Sequence, residues 1–199
     1  MTTTDSPKKK GSVPRWLAIP APRPQLSTAE VAAKYPRLRF QVFMGIFIGY
    51  ATFYLIRNNV PLVTPILTHE LGFSNAAIGA LSTALLLAYG FSKFFTAMIS
   101  DRSNARLFLP IGLVLSGIAN VLLAIAGYMG SGAAAAGYGA AIASTMAAIM
   151  VFNGIFQGMG WPPSGRVLVN WFSTSERGSK VSLWNTAHNV GGALSGLLV

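Results

Sequence analysis

The sequence predicts an all-α integral membrane protein, and three observations support that prediction. The 199 residues are 52% hydrophobic and only 10% charged, and a mean hydropathy of +0.52 is rarely reached by soluble globular domains. Long stretches without charge follow one another from Phe40 onward. Thirteen of the fifteen Lys and Arg residues lie in three segments that would share one side of a membrane. We therefore expect about five membrane-spanning helices.

Residues 1–36 form a basic tail, rich in Pro, Ser, Thr and Lys, which we expect to be cytoplasmic and mostly disordered. Ser27 and Glu30 have the spacing of a capping box, which predicts a short helix that ends by Pro36. The net charge of +10 does not indicate a nucleic-acid partner, because eight basic residues precede the first apolar run, where they act as a topology signal. Binding of the run Lys8 to Lys10 to a lipid surface is the alternative.

The transmembrane domain is predicted to occupy residues 37–199. Its first span is residues 40–56, which carry no charge, and its second is residues 71–100, in which Lys93 is the only charge. Residues 107–165 contain no charge at all. As one helix this stretch would be roughly 88 Å long, far more than a hydrocarbon core of about 30 Å, so it must fold back on itself.

The fold-back is predicted within residues 127–139, where glycine lowers helix propensity, and it separates spans three and four. The fifth span is predicted at residues 181–199. This arrangement puts all basic flanks on the side of the N-terminal tail, which places the N-terminus in the cytoplasm. Because Val199 ends the sequence inside a hydrophobic segment, we expect a truncated or partial chain.

Arg57 and Lys93 interrupt the apolar spans and are the main clue to function. A basic residue at the centre of a membrane helix costs about 2.5 to 3.5 kcal/mol on insertion scales, so it usually faces a partner or a polar cavity. The predicted spans contain no Asp or Glu. The partner is therefore expected to be an anionic ligand, although Arg57 could instead extend from the end of its span to the outer interface.

Tyrosines accompany both basic residues at helical spacing. Tyr50 and Tyr54 precede Arg57 on one face of the first span, and Tyr89 precedes Lys93 by four residues. A planar guanidinium recognises phosphate with two hydrogen bonds, an ammonium adds charge, and phenols donate without adding charge. The set suits a phosphate group. The alternative is an aromatic belt at the membrane interface.

The last apolar run carries a polar stripe, Asn185, His188 and Asn189, that again favours a cavity, with a hydrogen bond between helices as the alternative. Trp161 directly precedes two prolines that should interrupt the fourth span. It could line the cavity or anchor the interface. Neither a metal site nor a cofactor is expected, because cysteine is absent and His69 is the only other histidine.

A compact charged turn, Asp101 with Arg102 and Arg106, follows the second span. It could simply cap spans two and three. The alternative is a conformational latch, in which a salt bridge breaks as the helices move.

Six short motifs of this chain resemble the organophosphate:phosphate antiporters of the major facilitator superfamily. They are GYA at 49–51, LIR at 55–57, YGFSKF at 89–94, SDRSN at 100–104, FQGMGWPP at 156–163 and AHNVGG at 187–192. The resemblance runs in order from about residue 37 to the end of the sequence. It implies the first five helices of a twelve-helix fold, which would leave the C-terminal half missing.

The resemblance also implies a function and site residues. Arg57 corresponds to the phosphate-binding arginine of the first helix, Lys93 to a cavity lysine and His188 to the substrate-site histidine. Tyr50, Tyr54 and Trp161 would line the same pathway. The family exchanges inorganic phosphate for an organophosphate, such as glycerol 3-phosphate, by alternating access in the inner membrane.

Two other readings stay open. The chain could belong to a transporter-like membrane sensor of sugar phosphates, or it could be an inactive fragment. An enzyme is not expected, because the spans contain no nucleophile paired with a base and no metal cluster.

Overall fold

The computed structural model describes residues 13–21, 24–135 and 139–197, and the regular structure of these residues is almost entirely helical. Eight α-helices are described: α1 (Thr28–Arg57), α2 (Asn59–His69), α3 (Asn75–Asp101), α4 (Ala105–Ala135), α5 (Gly139–Gln157), α6 (Trp161–Trp171), α7 (Thr174–Asn185) and α8 (Ala187–Leu197).

Helix α1 begins with the predicted capping box. The backbone N–H of Glu30 donates to the Ser27 hydroxyl, and the Glu30 carboxylate accepts the Ser27 N–H at 3.1 Å. The prediction that this helix ends by Pro36 is wrong, because α1 continues through Pro36 to Arg57. Contacts on either side of the proline hold the helix together: the Tyr35 hydroxyl donates to the Trp171 carbonyl at 2.6 Å, and Arg39 pairs with Glu176.

The first apolar segment is longer than predicted. Its predicted end at residue 56 is wrong, because the chain leaves the helix only at Asn58 and resumes it as α2 up to His69. Residues 60–68 are uncharged, so they continue the apolar run beyond the charge. Arg57 therefore lies within a 42-residue helical stretch, Thr28–His69, and not at its outer end.

Four helical stretches of the described chain are long and apolar enough to cross a membrane, so this is a multi-pass membrane protein. They are Thr28–His69, Asn75–Asp101, Ala105–Gly130 and Gly139–Trp171. The predicted fold-back is confirmed, since α4 ends at Ala135 and α5 begins at Gly139. The interruption before the proline pair is also confirmed, since α5 ends at Gln157 and α6 begins at Trp161.

The predicted fifth span is divided in two. Helices α7 and α8 meet at Thr186, whose hydroxyl donates to the Leu183 carbonyl at 2.7 Å. Helix α7 starts at Thr174, seven residues before the predicted start of the span. Residues 198 and 199 lie outside the described residues, as do residues 1–12, on which much of the predicted disorder falls.

Two glycines permit close helix contacts around the site. A Cβ at Gly154 on α5 would collide with the backbone carbonyl of Leu85 on α3, and one at Gly191 on α8 would collide with the carbonyl of Ala51 on α1. Such close approach of backbones is typical of membrane helix packing. The first contact joins α5 to α3, and the second joins α8 to α1.

Candidate anion-binding site

Arg57 ends α1, and its guanidinium contacts two aromatic rings. The guanidinium carbon is 4.2 Å from the ring centroid of Tyr54, on the same helix, and 4.1 Å from that of Tyr89 on α3. A cation over a ring face is attracted by the ring quadrupole, so both contacts stabilise the guanidinium. The predicted association of Tyr54 with Arg57 is therefore present in the fold, and Tyr89, which was predicted beside Lys93, also contacts Arg57.

The guanidinium is only partly satisfied by the protein. Its Nε donates to Oε1 of Gln157 at 3.1 Å, whereas Nη2 is buried and has no hydrogen-bond partner among the described residues. The ion pairs of the described chain are Glu30 with Lys34 and Arg39 with Glu176. A buried donor without an acceptor costs about 1–3 kcal/mol, and more when it is charged. The arrangement favours an anionic partner for Arg57.

Lys93 reaches the same ring as Arg57. Its Nζ lies 4.0 Å from the ring centroid of Tyr89. The two basic residues that interrupt the apolar helices therefore share one tyrosine, although they come from different helices. This contact concentrates two positive charges in the interior of the bundle, which suits a multiply charged anion.

An aromatic column extends the site from α1 to α7 and α8. The rings of Tyr50 and Tyr54 are 5.3 Å apart, Tyr50 lies 4.5 Å from Trp184, and Tyr54 lies 5.4 Å from His188. The indole N–H of Trp184 donates to the Ile46 carbonyl at 3.2 Å, which anchors α7 to α1. His188 thereby contacts Tyr54, one of the two tyrosines that contact Arg57.

Two other predicted site residues are more exposed. Asn185 ends α7 and is exposed, and Trp161 begins α6 with 49% of its surface exposed. The start of α6 is fixed against α1 by Gly160, where a Cβ would be only 2.9 Å from the ring of Phe53. The roles of Asn185 and Trp161 in binding stay predictions.

The sequence analysis missed Gln157, Ser116 and Asn153. The amide nitrogen of Gln157 is 2.7 Å from the Ser116 hydroxyl, which is 2.5 Å from Oδ1 of Asn153. All three side chains are at most 1% exposed. A signal was present, because Asn153 and Gln157 stand four residues apart, on one helix face, in a stretch of 59 residues without charge.

The charged turn lies at one end of the bundle, beside a cavity of about 580 Å³ that Asp101 and Arg106 help to line. Asp101, Arg102 and Arg106 are exposed, and none belongs to the two ion pairs of the described chain. Arg166, which the sequence analysis did not select, donates to the carbonyls of Ser100 and Ser103. The conformational latch stays a prediction.

Comparison with known proteins identifies the family of the chain. The sequence profile of the Major Facilitator Superfamily matches residues 46–199. The chain is 48% identical over 181 residues to the glycerol-3-phosphate transporter of Bacillus subtilis, covering 90% of this chain and 38% of that protein. It is 47% identical to the glycerol-3-phosphate transporter of Haemophilus influenzae, covering 90% of this chain and 36% of that protein.

A sensor is among the relatives as well. The membrane sensor protein UhpC of Escherichia coli is 38% identical over 180 residues, covering 90% of this chain and 38% of that protein. The chain thus spans well under half the length of the relatives it matches. The profile match covers most of the chain, and the helical architecture and the motifs agree with it. The chain belongs to the major facilitator superfamily.

Proposed function

We propose that this chain forms part of a secondary transporter that exchanges an organophosphate, such as glycerol 3-phosphate, for inorganic phosphate. The observation that carries the proposal is the guanidinium of Arg57, which contacts the rings of Tyr54 and Tyr89 and has a buried Nη2 without an acceptor among the described residues. A phosphate oxygen supplies that acceptor and the compensating charge.

The site residues take distinct roles in the proposal. Arg57 binds the phosphate through a planar pair of donors, and Lys93, which contacts the same tyrosine ring, adds a second charge. Tyr50, Tyr54 and His188 contribute hydrogen bonds and select the organic part of the substrate, with Asn185 and Trp161 further along the pathway. This set would form one wall of the binding site. The opposite wall, in a C-terminal half, would complete it and allow alternating access.

The location of the protein is part of the proposal. The basic residues of the tail, of the turn after α3 and of the segment after α5 would lie in the cytoplasm, as the positive-inside rule requires. The protein would then cross the inner membrane with its N-terminus inside.

The test is exchange in proteoliposomes that contain the purified protein as its gene encodes it. Vesicles loaded with inorganic phosphate should take up labelled glycerol 3-phosphate, and vesicles without internal phosphate should take up little. Uptake that does not depend on internal phosphate would contradict exchange. Absence of both uptake and binding would contradict the choice of an organophosphate.

A sensor is the second candidate, and the 38% identity to a membrane sensor protein favours it. A sensor would bind the organophosphate at the same residues without moving it across the membrane. Binding of glycerol 3-phosphate by the purified protein, together with absence of transport in the loaded vesicles, would favour the sensor over the transporter.

A further inference from the structure

Three uncharged polar side chains lead from Arg57 into the interior of the helix bundle. Gln157 and Asn153 lie on α5, and Ser116 lies on α4. Gln157 and Asn153 are each 1% exposed, and Ser116 is fully buried, whereas Arg57 is half-buried. We call these three residues the buried relay.

The hydrogen bonds of the buried relay run in one direction. The Ser116 hydroxyl has a single proton, which it donates to Oδ1 of Asn153. It can therefore only accept from the amide nitrogen of Gln157, at 2.7 Å. This contact turns Oε1 of Gln157 toward Arg57, where it accepts the Nε–H at 3.1 Å. Asn153 thus determines which end of the Gln157 amide faces the guanidinium.

This orientation matters because of what it leaves free on Arg57. With Nε bonded to Gln157 and the guanidinium in contact with the rings of Tyr54 and Tyr89, the guanidinium cannot rotate without losing contacts. The donors that stay available for a ligand belong to the Nη atoms, and the buried Nη2 has no acceptor of its own. A reversed Gln157 amide would present N–H groups to the Nε–H and release the arginine.

A purely structural explanation fits the buried relay less well. Apolar side chains could hold α4 against α5 without any cost of removing polar groups from water. In a membrane interior, buried polar groups without complete hydrogen bonding are costly, so a continuous chain of them needs a reason. The geometry suggests what this series of hydrogen bonds does, because it ends at Arg57.

We propose that Ser116 and Asn153 are positioning residues, which act through Gln157 to hold Arg57 in the orientation that binds phosphate. This inference rests on the proposed function, because it assumes that Arg57 binds the phosphate group. It adds two residues, on α4 and α5, that need not touch the ligand.

The test is equilibrium binding of labelled inorganic phosphate and of glycerol 3-phosphate to the purified protein as its gene encodes it. Ser116→Ala removes the hydroxyl that orients Gln157, so the hydrogen bond between Gln157 and the Arg57 guanidinium should be lost. Binding of both ligands should then weaken about tenfold, which is the effect of losing one hydrogen bond to a charged group. The control is Ser164→Ala, at another fully buried serine, whose hydroxyl donates to the Gly160 carbonyl at 2.9 Å. It should bind both ligands as the wild type does and should lower the melting temperature about as much as Ser116→Ala.

A double-mutant cycle separates positioning from general damage. In a Gln157→Leu background, Ser116 is disconnected from Arg57, so Ser116→Ala should weaken phosphate binding no further. An additional tenfold loss in that background would overturn the inference, as would wild-type binding by Ser116→Ala alone. Absence of binding by the wild-type protein would instead overturn the proposed function, and the inference with it.

Discussion

Arg57 is the last residue of α1, and it directly precedes Asn58, where the long first helical stretch is interrupted before α2. A charge there is expensive in a membrane, and the structure reduces the cost through two rings and one amide. Neither ion pair of the described residues includes Arg57. At the scale of the single residue, we propose that this charge is kept for a ligand.

Tyr89 contacts both basic residues of the site, so its ring face should contribute to binding. Replacing Tyr89 with Leu removes two cation–π contacts, each about 0.5 to 2 kcal/mol, and should weaken phosphate binding at least several-fold. Tyr89→Phe keeps the ring face and should retain most of the affinity. Equal losses in the two variants, measured by equilibrium binding, would show that the hydroxyl matters and the ring face does not.

At the scale of the helices, close contacts at glycine fix the elements that carry the site. Gly154→Ala places a Cβ against the Leu85 carbonyl, and the overpacking should cost about 1 to 3 kcal/mol. We expect a lower melting temperature in detergent. The control is Gly90→Ala on α3, where a Cβ meets nothing within 4 Å, and it should be neutral or slightly stabilising. Equal melting temperatures for the two variants would contradict the close contact of α3 with α5.

The first turns of α1 are held by a contact with α7. Arg39 pairs with Glu176, and its guanidinium also lies 4.7 Å from the ring centroid of Phe172. Arg39→Gln should therefore speed amide hydrogen exchange in residues 28–38 without changing phosphate binding. Arg37→Gln, at an exposed position of the same helix, should leave exchange unchanged. If both variants exchange at the wild-type rate, the pair does not hold the helix.

The same pair predicts a pH dependence. The hydrogen bond from Arg39 lowers the pKa of the Glu176 carboxyl below its usual range. Because the folded-state pKa is the lower one, the stabilisation is complete above the ordinary Glu pKa of about 4.3 and is lost as the pH falls through the lowered value. Protection of residues 28–38 should thus persist at pH 5 and decrease in stronger acid.

At the scale of the whole molecule, the sequence was enough to predict a helical membrane protein, the fold-back before Gly139 and the break before Trp161. Charge-free runs and glycine-rich stretches are local signals in the sequence. The thickness of a bilayer then limits the length of each spanning helix. The association of Arg57 with Tyr54 and of Lys93 with Tyr89 was predictable for the same reason, since helical spacing decides which residues share a face.

The remaining features depend on contacts between distant parts of the chain. The helix continues through Pro36 because Tyr35 and Arg39 are held by α6 and α7, and no local pattern contains that information. The predicted first span ends too early because the charge of Arg57 marks its boundary in the sequence, whereas the helical stretch continues to His69. The buried relay was missed because isolated Asn and Gln residues in an apolar stretch do not indicate which side chain they will meet.

We propose above that Arg57 binds phosphate. Equilibrium binding of labelled inorganic phosphate, compared between Arg57→Lys and the wild-type protein, tests this directly. Lysine keeps the charge but lacks the planar pair of donors and the Nε–H that Gln157 accepts. We expect the wild-type protein to bind phosphate and glycerol 3-phosphate to displace it. We expect the phosphate affinity of Arg57→Lys to be lower by about tenfold or more. Wild-type affinity in Arg57→Lys would contradict it.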